Sequence, residues 1–154
     1  MEKKDINVLY IDDEAHNLTA FKASFRRDFN IFTTESVDEA RQILDTESIH
    51  IILSDQRMPK MTGIEFFESV LLAHPNPIRI LITGYTDINA VIDAINRGQV
   101  YKYLTKPWSD DDVKIYIEKA YEVFRLRKEN IDLTRKLISI NQKLEFLARQ
   151  NLLS

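Results

Sequence analysis

Residues 50–67 read HIILSDQRMPKMTGIEFF. His50 to Ser54 is a short apolar run rich in β-branched side chains, the pattern of a strand buried on both faces. It stops at an acid, Asp55. Met58-Pro59-Lys60-Met61 follows as a loop. Thr62 with Glu65 then has the spacing of a capping box, opening a helix that carries Phe66, Phe67, Val70 and Leu71 on its apolar face. The stretch is one strand–loop–helix unit whose strand ends in a carboxylate.

The same unit recurs on both sides. Asn7 to Ile11 (NVLYI) is an apolar run that breaks at Asp12-Asp13-Glu14, and residues 15–28 place Leu18, Phe21, Phe25 and then Phe29 at helical spacing. Asn30 to Thr34 is a second strand candidate. Ser36 with Glu39 is another capping box, followed by Ala40, Ile43 and Leu44. Pro75 and Pro77 stop the third helix. Ile78 to Ile82 is the fourth strand, Thr86 to Asn96 the fourth helix and Val100 to Leu104 the fifth strand, and Ser109 with Asp112 opens a final helix. Five such units with nearly all-apolar strands predict an α/β fold, a doubly wound parallel sheet between two layers of helix. The expected domain is 1–122, with 123–154 as a helical extension.

Composition narrows the function classes. The chain has no cysteine, which removes disulfides and thiolate metal sites. It shows neither a signal-peptide pattern at the N-terminus nor an apolar stretch near the ~20 residues needed to cross a bilayer, so a cytoplasmic protein without membrane partners is expected. Net charge is only −3, but residues 1–110 hold 12 Lys/Arg against 17 Asp/Glu and residues 111–154 hold 9 against 7. The tail therefore differs from the body. Its Arg125-Leu126-Arg127-Lys128 cluster reads as a solvated helix face; with no recognition helix beside it, direct nucleic-acid binding is not expected.

From Ser109 no Pro or Gly interrupts the chain through Ser154, so the last helix can run about 40 residues, roughly 60 Å. Leu126, Asn130, Leu133, Leu137, Ile140, Leu144, Leu147 and Asn151 alternate by fours and threes, a coiled-coil seam of about three and a half heptads. Asn130 and Asn151 fall at a-type positions, where a buried Asn costs stability but fixes register and strand number. A parallel homodimer is the expected state, with Glu122 and Arg127 at g and e positions able to pair between chains. The alternative is a helix that packs against an output domain.

Ligands of an open parallel sheet bind outside the carboxyl ends of its strands. Those ends carry Asp12 and Asp13, Asp55, Thr83 and, just past the fifth strand, Lys106. Three carboxylates brought together need a counter-charge, and Mg²⁺, a hard cation that takes oxygen ligands and leaves room for phosphate oxygens, suits them. The role split that fits is Asp12 and Asp13 for metal, with the Arg57 backbone carbonyl added, and Asp55 both as a ligand and as a nucleophile forming an aspartyl phosphate. Lys106 would neutralise the transferring phosphoryl group and Thr83 would donate a hydrogen bond to it.

VLYIDDE, IILSDQRMPKMTGIEF, ILITGYTD and YKYLTKPW together resemble the motifs of the bacterial two-component response regulator receiver domain, over residues 5 to about 122. The resemblance implies a flavodoxin-like sheet in the order 2-1-3-4-5, Mg²⁺ dependence, and phosphotransfer to Asp55 from a sensor histidine kinase or phosphotransfer protein. It also implies a Thr83–Tyr103 switch pair acting on the face formed by the fourth helix, fifth strand and final helix, and a cis Lys106–Pro107 bond. An inward turn of Tyr103 would then repack the Trp108–Tyr116 region. The segment ITGYTDINAVIDAINRGQVYKYLTKPW is similar to receivers joined to HD-GYP phosphodiesterase or hydrogenase-regulator-like outputs. In receivers, Arg57 and Tyr85 flank the path of hydrolytic water. Both are bulky here, so a long-lived phosphate is expected.

Rival functions are weaker. A haloacid-dehalogenase-type phosphatase needs a second carboxylate two residues after its nucleophile, and Arg57 stands there. A coiled-coil scaffold with an inactive acidic site is the non-catalytic alternative. His16, His50 and His74 lie in separate elements without ligand spacing and read as structural or solvated.

Overall fold

The computed structural model describes residues 5–84, 88–96 and 100–153. Its elements are β1 Asn7–Ile11, α1 Ala15–Phe25, β2 Asn30–Thr34, α2 Val37–Thr46, β3 Ile51–Asp55, α3 Gly63–Val70, β4 Ile78–Thr83, α4 Ile88–Asn96, β5 Lys102–Thr105 and α5 Asp110–Leu153. The strands form one parallel sheet in the order β2-β1-β3-β4-β5, the expected doubly wound arrangement.

Alternation along the strands sorts the core into two layers. Val8, Tyr10, Ile51, Leu53, Ile78, Ile80, Ile82 and Leu104 face one side, where they meet Phe21 and Phe25 of α1 and Val113, Ile117 and Ala120 of α5. Leu9, Ile11, Ile52 and Leu81 face the other, against α2, α3 and α4. Both faces are covered, so the central strands are apolar throughout. Both helices are capped by the expected side chains: the Glu39 N–H donates to Ser36 Oγ at 3.2 Å, and the Glu65 N–H to Thr62 Oγ1 at 3.1 Å, while the Ser36 N–H donates to Thr34 Oγ1 at 3.0 Å rather than to Glu39. Each such cap is worth about 1 kcal/mol.

Two boundaries differ from expectation by two residues or more, and a third lies outside the described residues. The first helix ends at Phe25, and Phe29 lies past the turn, fully buried against Phe25 with ring centroids 6.4 Å apart. Phe29 kept its apolar role while leaving the helix. The fifth strand begins at Lys102; Val100 is buried ahead of it, outside the ladder. The fourth helix is described from Ile88, and Thr86, expected to open it, lies outside the described residues.

The α5 helix runs 44 residues, about 66 Å. Tyr121 and Phe124 are its last residues packed on the body; the described side chains from Arg125 onward are exposed. His50 anchors that joint. Its Nδ1 accepts the Asn7 N–H at 2.9 Å, and its ring meets Tyr121 and Phe124 edge-on at 5.1 and 4.9 Å. His74 pairs with Asp45 at 2.8 Å. Both histidines are structural.

Candidate functional site

Strand polarity gathers the chemistry. Parallel strands present all their carboxyl ends at one edge, so Asp12 after β1, Asp55 closing β3, Thr83 closing β4 and Lys106 after β5 are brought to the same rim. One oxygen from each of Asp12, Asp13 and Asp55 lies within 4.8 Å of the others.

The three acids sit in different surroundings. Asp12 is fully buried and heavily bonded. Its Oδ2 accepts from Tyr10 Oη at 2.7 Å and Asn17 Nδ2 at 3.1 Å, and faces Lys106 Nζ at 3.6 Å; its Oδ1 accepts the Glu14 N–H at 3.0 Å. Asp13 is exposed and Asp55 half-buried. Burial pushes the Asp55 carboxyl up to about 6; Lys106 opposes this, while Asp12 and Asp13 add to it. Burial and Asp12 likewise hold the Tyr10 phenol far above its ordinary value.

The loop after Asp55 is tied down by its neighbour. Gln56 donates its N–H to the Ile82 carbonyl at 2.8 Å, and accepts the Gly63 N–H at 3.1 Å and, through Oε1, the Ile64 N–H at 3.1 Å. These bonds draw the start of α3 against the end of β3. A Cβ on Gly63 would meet the Asp55 carbonyl oxygen at 2.6 Å and Leu81 Cδ1 at 2.7 Å, so only glycine fits. Across the rim, Thr83 is 2% exposed and donates Oγ1 to the Gly84 carbonyl at 3.1 Å. The Lys106 N–H donates to the Thr83 carbonyl at 3.4 Å, and the Lys106–Pro107 bond is cis.

Thr83 and Tyr103 share strand parity. Both occupy the sheet side of α2, α3 and α4, and Tyr103 is half-buried against that layer. Trp108 and Tyr116 pack on the opposite layer with α1 and α5. The expected repacking of the Trp108–Tyr116 region by Tyr103 would therefore have to pass around the sheet edge. A cavity of about 460 Å³ there is lined by Tyr103, Trp108 and Tyr116 together. Tyr85 lies outside the described residues.

The residues named from sequence, Asp12, Asp13, Asp55, Thr83 and Lys106, lie at one rim of the sheet, and Tyr10, Asn17 and Gln56, not named from sequence, bond to them or to the start of α3 beside them. One signal was available for Tyr10. A phenol in an otherwise aliphatic strand must find a partner for its hydroxyl.

The donor set fits a hard divalent cation: clustered carboxylate oxygens, no nitrogen or sulfur, and an Asp55 charge that burial and the neighbouring acids disfavour. Among the described residues no helix is long and apolar enough to cross a membrane.

The comparisons with known proteins agree with this architecture. A family model described as the response regulator receiver domain matches residues 8–118. The hydrogenase transcriptional regulatory protein HoxA of Cupriavidus necator is 38% identical over 122 residues, covering 79% of this chain and 25% of that protein. A crystal structure of a protein described as uncharacterized, from Neptuniibacter caesariensis, is 40% identical with a TM-score of 0.77, covering 83% of this chain and 96% of that one. A response regulator receiver domain protein from Clostridium thermocellum is 28% identical with a TM-score of 0.73, covering 79% and 98%. The chain spans about a quarter of the length of the curated relatives named HoxA that it matches. The matched family model runs from β1 into the body-facing part of α5 and encloses the acidic cluster; the chain belongs to the response regulator receiver domains, the signalling switches of two-component systems.

Proposed function

We propose that this receiver is a phosphoacceptor switch in which Asp55 takes a phosphoryl group from a sensor histidine kinase or phosphotransfer protein. The observation that carries the reading is the acidic cluster, with three carboxylates within reach of one ion and Lys106 beside Asp12. Asp12, Asp13 and Asp55, with the Arg57 backbone carbonyl, would hold Mg²⁺, which when bound supplies positive charge to the crowded acids and to the incoming phosphoryl oxygens. The Asp55 carboxylate attacks phosphorus, the donor's bond to phosphorus breaks, and the donor leaves with the electron pair. Lys106 offsets charge on the transferred group. Thr83 must release the Gly84 carbonyl to donate to a phosphoryl oxygen, and Tyr103 on the same sheet side is the group positioned to respond.

Residues 1–122 form the receiver in this reading, and 123–154 a coiled-coil extension that makes the chain a homodimer. Leu126, Leu133, Leu137, Ile140, Leu144 and Leu147 are each 46–60% exposed, an apolar stripe that a second copy would cover. Within one chain Glu122 accepts from Arg125; in the dimer it would pair with Arg127 of the other helix, and Asn130 and Asn151 would fix the register. The relatives named as transcriptional regulators suggest a DNA-directed output carried outside these residues. The switch works in the cytoplasm, and with Arg57 beside the site its phosphate is long-lived.

The test is incubation with Mg²⁺ and a small phosphodonor, followed by intact-mass measurement. A stable gain of one phosphoryl group, absent in Asp55→Asn, supports the switch. No gain with the fold intact supports the scaffold alternative, and rapid turnover of donor supports a phosphatase.

A further inference from the structure

We propose that Tyr10 is a positioning residue for metal capture, its buried hydroxyl holding Asp12 in the orientation that Mg²⁺ requires. The inference rests on the reading of Asp12 as a magnesium ligand and extends it to a residue outside the acidic cluster. Packing alone does not call for a phenol at this point of β1. Its neighbours along the strand are Leu9 and Ile11, and an aliphatic side chain would fill the layer between Leu53 and Phe21 without bringing a polar atom into the core. The ring is wedged in place, 0% exposed and edge-on to Phe21 with centroids 4.7 Å apart. Its hydroxyl therefore has little freedom, and it donates to Asp12 Oδ2 at 2.7 Å.

Asn17 reaches the same oxygen from α1 at 3.1 Å, so donors from a strand and a helix converge on it. The Glu14 N–H holds the other oxygen at 3.0 Å. The carboxylate is thus locked at both ends before any cation arrives. Outer donors of this kind orient metal ligands, and their loss commonly weakens metal affinity by about 10- to 100-fold. Tyr10→Phe removes the hydroxyl and keeps the ring with its contact to Phe21, which separates positioning from packing.

The experiment is a double-mutant cycle on the full chain, with Tyr10→Phe, Asp12→Asn and both together. The Mg²⁺ dissociation constant is read from the dependence of the melting midpoint on Mg²⁺ concentration. Expected is an affinity about tenfold weaker in Tyr10→Phe, a loss in Asp12→Asn, and no further loss when Tyr10→Phe is added to Asp12→Asn. If Asp12→Asn weakens Mg²⁺ binding but Tyr10→Phe leaves it unchanged or tighter, the positioning role is overturned and the ligand reading survives. If Tyr10→Phe weakens binding equally in both backgrounds, its effect does not run through Asp12 and the proposal also fails. A wild-type chain that binds no Mg²⁺, or an Asp12→Asn chain that binds it normally, overturns both.

Discussion

Asp55→Asn should stabilise this protein at neutral pH, although it removes the proposed phosphoacceptor. Burial, with Asp12 and Asp13 adding to it, raises the Asp55 carboxyl from its ordinary 3.8 to about 6. At pH 7.5 the folded chain carries a charge that the unfolded chain bears more easily. A displacement of that size corresponds to about 3 kcal/mol at ~1.36 kcal/mol per tenfold. Asp55 is only half-buried, and solvent screening reduces the figure to about 1–2 kcal/mol. The sign follows from linkage. Between pH 3.8 and about 6 the folded state retains a proton that the unfolded state has lost, so stability falls as pH rises through that window and is level above it. The variant should match wild type near pH 4 and exceed it by about 1–2 kcal/mol at pH 7.5, a melting shift of about 3–6 °C for a chain of this size. Urea unfolding of both proteins in chelator across that range measures the difference directly. Mg²⁺ should narrow the gap at pH 7.5 by relieving the wild-type acids. A variant no more stable than wild type at pH 7.5, or a gain independent of pH, would refute the electrostatic reasoning.

Gly63→Ala places a methyl 2.6 Å from the Asp55 carbonyl and 2.7 Å from Leu81; it should cost about 1–3 kcal/mol in urea unfolding and slow phosphoryl uptake. Ser36→Ala removes the cap on the Glu39 N–H and should lower stability by about 1 kcal/mol while leaving phosphorylation unchanged. Leu137→Asp with Leu144→Asp, both on the exposed stripe of α5, should convert a dimer to a monomer in sedimentation equilibrium without lowering the receiver's melting midpoint by more than about 2 °C.

The sheet and its site were legible for a definable reason. Parallel strands buried on both faces must be apolar along their length and must release polar residues at one end, so Asp12, Asp55 and Thr83 stood out where VLYI, IILS and ILI stop. The helix starts at Ser36 and Thr62 were likewise set by neighbours three residues away. Tyr10 was legible in part, as a phenol in an aliphatic strand two residues before Asp12; Asn17 and Gln56 were not, because what each does depends on partners delivered by the fold. The link from Gln56 to Ile82 joins the ends of two neighbouring strands, and Asn17 reaches Asp12 only because α1 turns back over the strand end. Phe29 shows the same limit from the other side. Helical spacing marks it as buried but does not say that the helix has already ended.

Reductive trapping of the acyl phosphate, followed by peptide sequencing in the mass spectrometer, tests the central claim most directly. After exposure to Mg²⁺ and a phosphodonor, the converted residue should be Asp55 alone, with conversion abolished when Mg²⁺ is chelated. Conversion at Asp12 or Asp13, or none anywhere in a folded chain, would contradict the assignment of Asp55 as the phosphoacceptor.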